Sequence, residues 1–262
     1  MSAIIIGNDI VHYEVLGRGR PLIFIHGWVG SWRYWIPAMQ ATSISFRSYA
    51  LDLFGFGDTS KNPERYSLEA QVELLDGFME EMGIGKVALI GHGLGAIVAM
   101  MYAKQYPQFV DRVMAIAFPA TSHAINTRLT TDPPVTLGEW LLGRTPGAQP
   151  AQQETPKTDA KAIATSISTL NGTSLTTLTN ALESPTLFVQ GQNDPAIAQP
   201  DDSLLEALPE LSHVITLENT GHFPMLEQQN KFNRLVTDFL ALGSGETPRS
   251  LQIKEEWKRR VR

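Results

Sequence analysis

Short, nearly continuous apolar runs recur along this chain: "AIIIG", "IVHYEVLG", "PLIFIHG", "FRSYALDLF", "KVALIGH", "DRVMAIAFP", "PTLFVQG" and "SHVITLEN". Runs apolar at successive positions, rather than at alternate ones, are the pattern of strands covered on both faces, as in a parallel sheet. The first two are joined by Gly7-Asn8-Asp9, a turn composition, and read as a starting pair. Between the runs the period lengthens. Leu68, Val72, Leu75, Met79 and Met82 recur at three and four residues, one face of a helix with Ser67 as its N-cap. Phe232, Leu235, Val236, Phe239 and Leu240 repeat the pattern near the end. Strand and helix alternating at this spacing predict an α/β fold with a mostly parallel eight-stranded sheet between helical layers.

One region breaks the rhythm. From Ala120 to Ser184 the chain is rich in Thr, Ser, Ala, Gln and Pro. "TLGEWLLGR" and "AKAIATSISTL" read as helices, but "TPGAQPAQQETPKT" has too little apolar surface to fold alone. The region is expected to be an inserted cap, about 120–184, within one domain spanning 1–243. "SGETPRS" then has a linker's composition, and 244–262 reads as linker and tail.

The 262 residues are enough to bury a large core. Without cysteine there is no disulfide, thiolate metal site or thiol nucleophile. "MSAIIIGNDI" lacks a basic start and a cleavage site, and no apolar run approaches a membrane span, so a cytoplasmic protein is expected. The net charge of −6 is uneven: six Lys/Arg and two Glu between Arg249 and Arg262 give that stretch +4 and leave −10 elsewhere. An acidic body lacks the basic footprint that nucleic acid requires. In "LQIKEEWKRRVR", residues 251–262, Ile253, Trp257 and Val261 share a helical face ringed by cations. It reads as a solvated tail helix, the alternative being contact with an anionic membrane surface or a protein partner.

The chemistry concentrates at "KVALIGHGLGAIVAM", where a strand runs through glycines into a helix. Read as Gly91-x-Gly93-x-x-Ala96 it is a dinucleotide turn. That turn needs an acid at the end of the next strand, and Asp111, at about the right count, precedes its strand. Read as small-x-nucleophile-x-small it is a nucleophile elbow. Other segments favour the elbow: "IFIHGW" ends a strand in His26-Gly27, "GQNDP" puts Asp194 just past a strand, and "NTGHFPMLEQ" puts His222 before the last helix.

Elbow, acid and histidine in that order, together with "LDLFGFGDTS", resemble the α/β-hydrolase superfamily from about Ala3 to Leu242, its cap-bearing esterases, C–C hydrolases and haloperoxidase-like members above all. The resemblance implies that Asp194 orients His222 and that the amides of Trp28 and Leu94 form an oxyanion hole. It implies no metal, nucleotide or organic cofactor. His26 and Gly27 would shape the binding loop, and His123, at the root of the cap, would line the pocket or pack the cap. Ser31 reads as a helix cap, Asp52 and Asp58 as turn organisers, and the His92 side chain as pointing away from the site. The departure is Gly93, where such relatives carry Ser, or Asp in dehalogenases and epoxide hydrolases.

Without a hydroxyl at position 93 no acyl-enzyme can form. Three readings stay open. The chain is a weak hydrolase in which His222 activates water over a small apolar ester or ketone-like substrate. It is a pseudo-hydrolase that binds a ligand or partner without turnover. Or it is an ordinary serine hydrolase inactivated by a Ser-to-Gly change.

Overall fold

Each apolar run carries backbone donors and acceptors that must pair before its two faces can be buried. In the computed structural model, which describes residues 2–143, 145–170 and 175–251, the runs pair into one sheet. Its strands are β1 (Ser2–Ile6), β2 (Asp9–Gly17), β3 (Arg20–Ile25), β4 (Phe46–Leu51), β5 (Val87–His92), β6 (Val110–Ile116), β7 (Thr186–Gly191) and β8 (Ser212–Leu217). Their spatial order is β1-β2-β4-β3-β5-β6-β7-β8. The β1–β2 and β2–β4 pairs are antiparallel and the others parallel. Leu22, Ile23, Phe24 and Ile25 of β3 are all fully buried, as a strand covered on both faces requires.

Helices α1 (Ile36–Thr42), α2 (Leu68–Glu81) and α3 (Leu94–Gln105) follow β3, β4 and β5. The Ser67 hydroxyl accepts the Ala70 amide at 3.2 Å and starts α2 as its capping chemistry predicts. Helix α3 is apolar nearly all round because it packs against β5 and β6 as well as α2.

Five short helices stand between β6 and β7: α4 (Arg128–Thr131), α5 (Pro134–Leu142), α6 (Gln149–Gln152), α7 (Ala160–Thr169) and α8 (Leu175–Asn180). Then come α9 (Asp202–Glu206), α10 (Pro224–Glu227) and α11 (Gln229–Ala241), the last packing its apolar face on α1.

The polar stretch from Thr145 to Thr158 folds against the body rather than alone. Its Glu154 is buried, and the carboxylate accepts from Arg33 Nε at 2.7 Å, Lys157 Nζ at 3.1 Å and Ser31 Oγ at 3.3 Å. Lys157 also reaches Asp58 at 2.9 Å, and the Tyr66 hydroxyl donates to Asp159 at 2.9 Å. Charge pairing across the junction adds to the burial of Ala148 and Ala151 in the core.

The stretch with a linker's composition is likewise docked. Arg249 donates to the carbonyls of Leu208, Pro209 and Ser212, pinning the turn Pro248–Ser250 beside β8. The basic amphipathic tail predicted over 251–262 lies, but for Leu251, outside the described residues.

Candidate functional site

The corner between β5 and α3 is Gly93, with φ 51° and ψ −110°. That region of backbone space costs any other residue about 1–3 kcal/mol, whereas glycine enters it freely. Gly93 N donates to Ile116 O at 2.8 Å, and its own carbonyl accepts from Ala96 and Ile97, so strand and helix fix the turn from both sides. A Cβ built on Gly93 would stand 3.2 Å from Cε3 and 3.3 Å from Cζ3 of Trp28. The edge of that indole therefore overhangs the corner.

Trp28 sits in the loop that leaves β3. His26 is fully buried there, and both of its ring nitrogens are engaged within the protein. Leu53 N donates to Nε2 at 3.0 Å, so Nε2 is the acceptor, and the Nδ1 proton goes to Gly27 O at 2.7 Å. Burial holds this imidazole below the usual histidine range, in keeping with the neutral form. Because a trans peptide points its C=O and N–H oppositely, fixing Gly27 O also aims the Trp28 N–H. Among the described residues neither the Trp28 amide nor the Leu94 amide has a protein acceptor. The Trp28 indole is itself held, its Nε1 donating to Ser166 Oγ of α7 at 3.0 Å.

His222 lies between β8 and α10, buried to 2% exposure. Its Nδ1 is 2.8 Å from Asp194 Oδ2, while Asp194 Oδ1 accepts the amides of Ala196 at 2.8 Å and Ile197 at 3.1 Å. A carboxylate only accepts, so Nδ1 carries a proton, and in the neutral ring Nε2 is the nitrogen with the lone pair. Nε2 has no hydrogen-bond partner among the described residues. Glu227 braces the same loop by accepting Gly221 N and Phe223 N.

The structure thus brings Asp194 to His222 and sets Trp28 over Gly93. The two other histidines expected near the ligand differ. His26 serves the loop's internal bonding, and His123 is exposed on the turn Ser122–Ala124, with no hydrogen bond to the dyad among the described residues. The expectation for His92 is corrected. Its ring centroid is 4.5 Å from that of His222, and its Nε2 lies 2.8 Å from the His222 carbonyl oxygen. A side chain at the last position of β5 points under the neighbouring loop once β7 and β8 bring that loop alongside, and nothing local in "GHGLG" announces it.

His12, Asp52 and Asp58 bring possible ligand atoms within 4.8 Å of one another. Both oxygens of Asp52 are already used, by Trp32 N at 2.9 Å on one side and by Asp58 N at 3.1 Å and His12 Nδ1 at 2.8 Å on the other. These bonds organise the turn after β4, as expected of Asp52.

A family model described as the alpha/beta hydrolase fold matches residues 20–161, just over half the chain. The chain belongs to the α/β-hydrolase fold family. A second model of this kind, described as TAP-like protein, matches 165–251. Among curated relatives, mouse (Mus musculus) epoxide hydrolase 4 is 32% identical over 115 residues, 42% of this chain and 32% of its own length. The soluble epoxide hydrolase of Corynebacterium sp. is 31% identical over 106 residues, 40% of this chain and 37% of its own. This α/β-hydrolase chain therefore spans about a third of the relatives it matches. Among solved structures, a hydrolase from Pseudomonas aeruginosa superposes with a TM-score of 0.81 at 20% identity, covering 92% of this chain and 98% of that one. That likeness shows the α/β-hydrolase fold alone. No helix among the described residues is long and apolar enough to cross a membrane.

Proposed function

We propose that this chain binds a small, largely apolar ester or ketone-like molecule between the inserted helices and the strand ends, and that His222 acts on it through water. His222 Nε2 takes a proton from water as the oxygen adds to the carbonyl carbon. The amides of Trp28 and Leu94 receive the developing oxyanion, and the proton returns to the leaving alkoxide as the ester bond breaks. Asp194 holds the tautomer that leaves Nε2 basic. Nothing covalent forms at position 93, so turnover is slow: a hydrolase without its serine keeps roughly 10³–10⁴ over water from the remaining machinery. Enzymic carboxylate attack, the chemistry that an Asp at the elbow gives epoxide hydrolases, has no residue here to perform it.

The observation that carries this reading is the intact 2.8 Å His222–Asp194 bond, with a free Nε2, beside a corner residue that has no side chain. A protein that only binds has no use for that pair. A second reading, ligand binding without turnover, draws on the Trp28 edge that crowds Gly93.

Two variants decide between them, with activated small esters such as p-nitrophenyl acetate as probes. Gly93→Ser is expected to raise hydrolysis by orders of magnitude. His222→Ala is expected to abolish the slow turnover of the parent. A folded Gly93→Ser variant with no gain, or turnover indifferent to His222→Ala, would favour the binding reading.

A further inference from the structure

Two loops meet in the proposed site, one carrying the Trp28 amide and one carrying His222, and a buried bridge joins them. Gly27 N donates to the Tyr34 hydroxyl at 2.6 Å. The hydroxyl lies 3.0 Å from His92 Nδ1, and His92 Nε2 lies 2.8 Å from the His222 carbonyl oxygen. The sense of each bond follows from its ends. An amide can only donate and a carbonyl can only accept, so Nε2 bears the His92 proton and Nδ1 accepts from the tyrosine. Burial above all keeps the His92 ring well below the usual histidine range and so neutral, as this wiring needs.

Packing holds the bridge in register. Tyr34 meets His92 edge-on at 5.6 Å and 88°, and meets Phe223 at 5.4 Å and 82°. A Cβ on Gly27 would stand 2.9 Å from His92 Nδ1, so only glycine lets the loop come this close. On the other side, Glu227 binds the amides flanking His222, and His92 holds the carbonyl of His222 itself, so the backbone at this residue is fixed from both sides.

We propose that Tyr34 and His92 are positioning residues that set the spacing between the Trp28 amide and the His222 imidazole. The inference deepens the proposed function and rests on His222 being the base of the site. Neither residue touches the ligand. They act through the two backbones that carry the reacting groups, so the oxyanion loop and the base shift together.

The test reads ring protons rather than turnover, which separates its failure from a failure of the hydrolase reading. In protein labelled with ¹⁵N in its histidine rings, His92 is expected as the neutral Nε2–H tautomer. The His222 Nδ1 proton, bonded to Asp194, is expected to exchange slowly with water. His92→Leu removes the donor and should speed that exchange about tenfold, the effect of one lost buried hydrogen bond. His92→Gln, whose amide nitrogen reaches the place of Nε2, should bring it back to within about threefold of the parent. Should His92→Leu not fold, Tyr34→Phe, which keeps the ring contacts, is expected to move the exchange in the same direction. Equal behaviour of the Leu and Gln variants, an unchanged rate in Tyr34→Phe, or an Nδ1–H tautomer at His92 would overturn the proposal.

Discussion

At position 93 the backbone and the chemistry ask for different residues. The left-handed corner favours glycine by about 1–3 kcal/mol, and a side chain there must also move the Trp28 ring edge by a few tenths of an ångström. Gly93→Ser should therefore lower stability by about 1–3 kcal/mol even where it raises activity, as read from urea midpoints. Trp28→Phe itself loses the Ser166 bond and packing, but in a double-mutant cycle the cost of Gly93→Ser should be smaller in the Phe background, since the smaller ring relieves the crowding. A stability equal to that of the parent would mean the corner relaxes at no cost.

At the level of whole elements, the inserted helices share the core with the body and are also clasped to it by polar contacts. Glu154, between α6 and α7, is clasped by Arg33 and Lys157, and Ser166 on α7 holds the Trp28 indole. Removing the charge of a buried, paired carboxylate costs about 1–3 kcal/mol through the donors it leaves behind. Glu154→Gln should thus increase proteolytic nicking across 145–170 while leaving the β-sheet signal of circular dichroism intact. Uniform loss of both would mean that these helices and the sheet unfold as one. Arg33 is partly exposed, so added salt should weaken the clasp in the parent protein as well.

Over the whole molecule, buried histidines of opposite shift shape the response to pH. Burial pushes His26 and His92 below the ordinary value of 6.5, so their stabilising contribution is full above that value and is lost as pH falls. For His12 burial again opposes the charge, but the bond and charge of Asp52 outweigh it and raise the pKa. Its contribution is full below the ordinary 6.5 and is lost as pH rises through the raised value. Asp52 is shifted down: burial resists its charge, but His12 and two amides prevail, so its share persists until strong acid. As pH falls below 6.5 the unfolded chain takes up protons at His26 and His92, and at His213, which burial and Arg249 also shift down, more readily than the folded chain does, while His12 nears full charge in both states. Stability should fall there by up to about 1.4 kcal/mol per pH unit for each of His26 and His92. Urea midpoints measured across that range test it, and His92→Gln should make the slope shallower; a flat profile would mean that these rings are already charged in the folded protein.

The fold was legible at this scale because each strand is a short apolar run and each large helix keeps its period. The order of corner, Asp194 and His222 was legible because each occupies a strand end. What escaped the sequence was contact made only by the closed sheet: His92 beneath His222, Tyr34 bridging to it, and Glu154 reaching back across 121 residues to Arg33. Those pairs have no spacing rule, since chain distance does not fix where loops from separate strands will meet.

Glycine at this corner also leaves a short evolutionary road. Some glycine codons stand a single base away from serine, and the strand, the helix and the braced imidazole would all greet the returning hydroxymethyl in place. The neighbour that must give way is the rim of one tryptophan. On the proposed function, a lineage carrying this chain could therefore pass between slow water-mediated turnover and acyl transfer by a point mutation and a small shift of that ring.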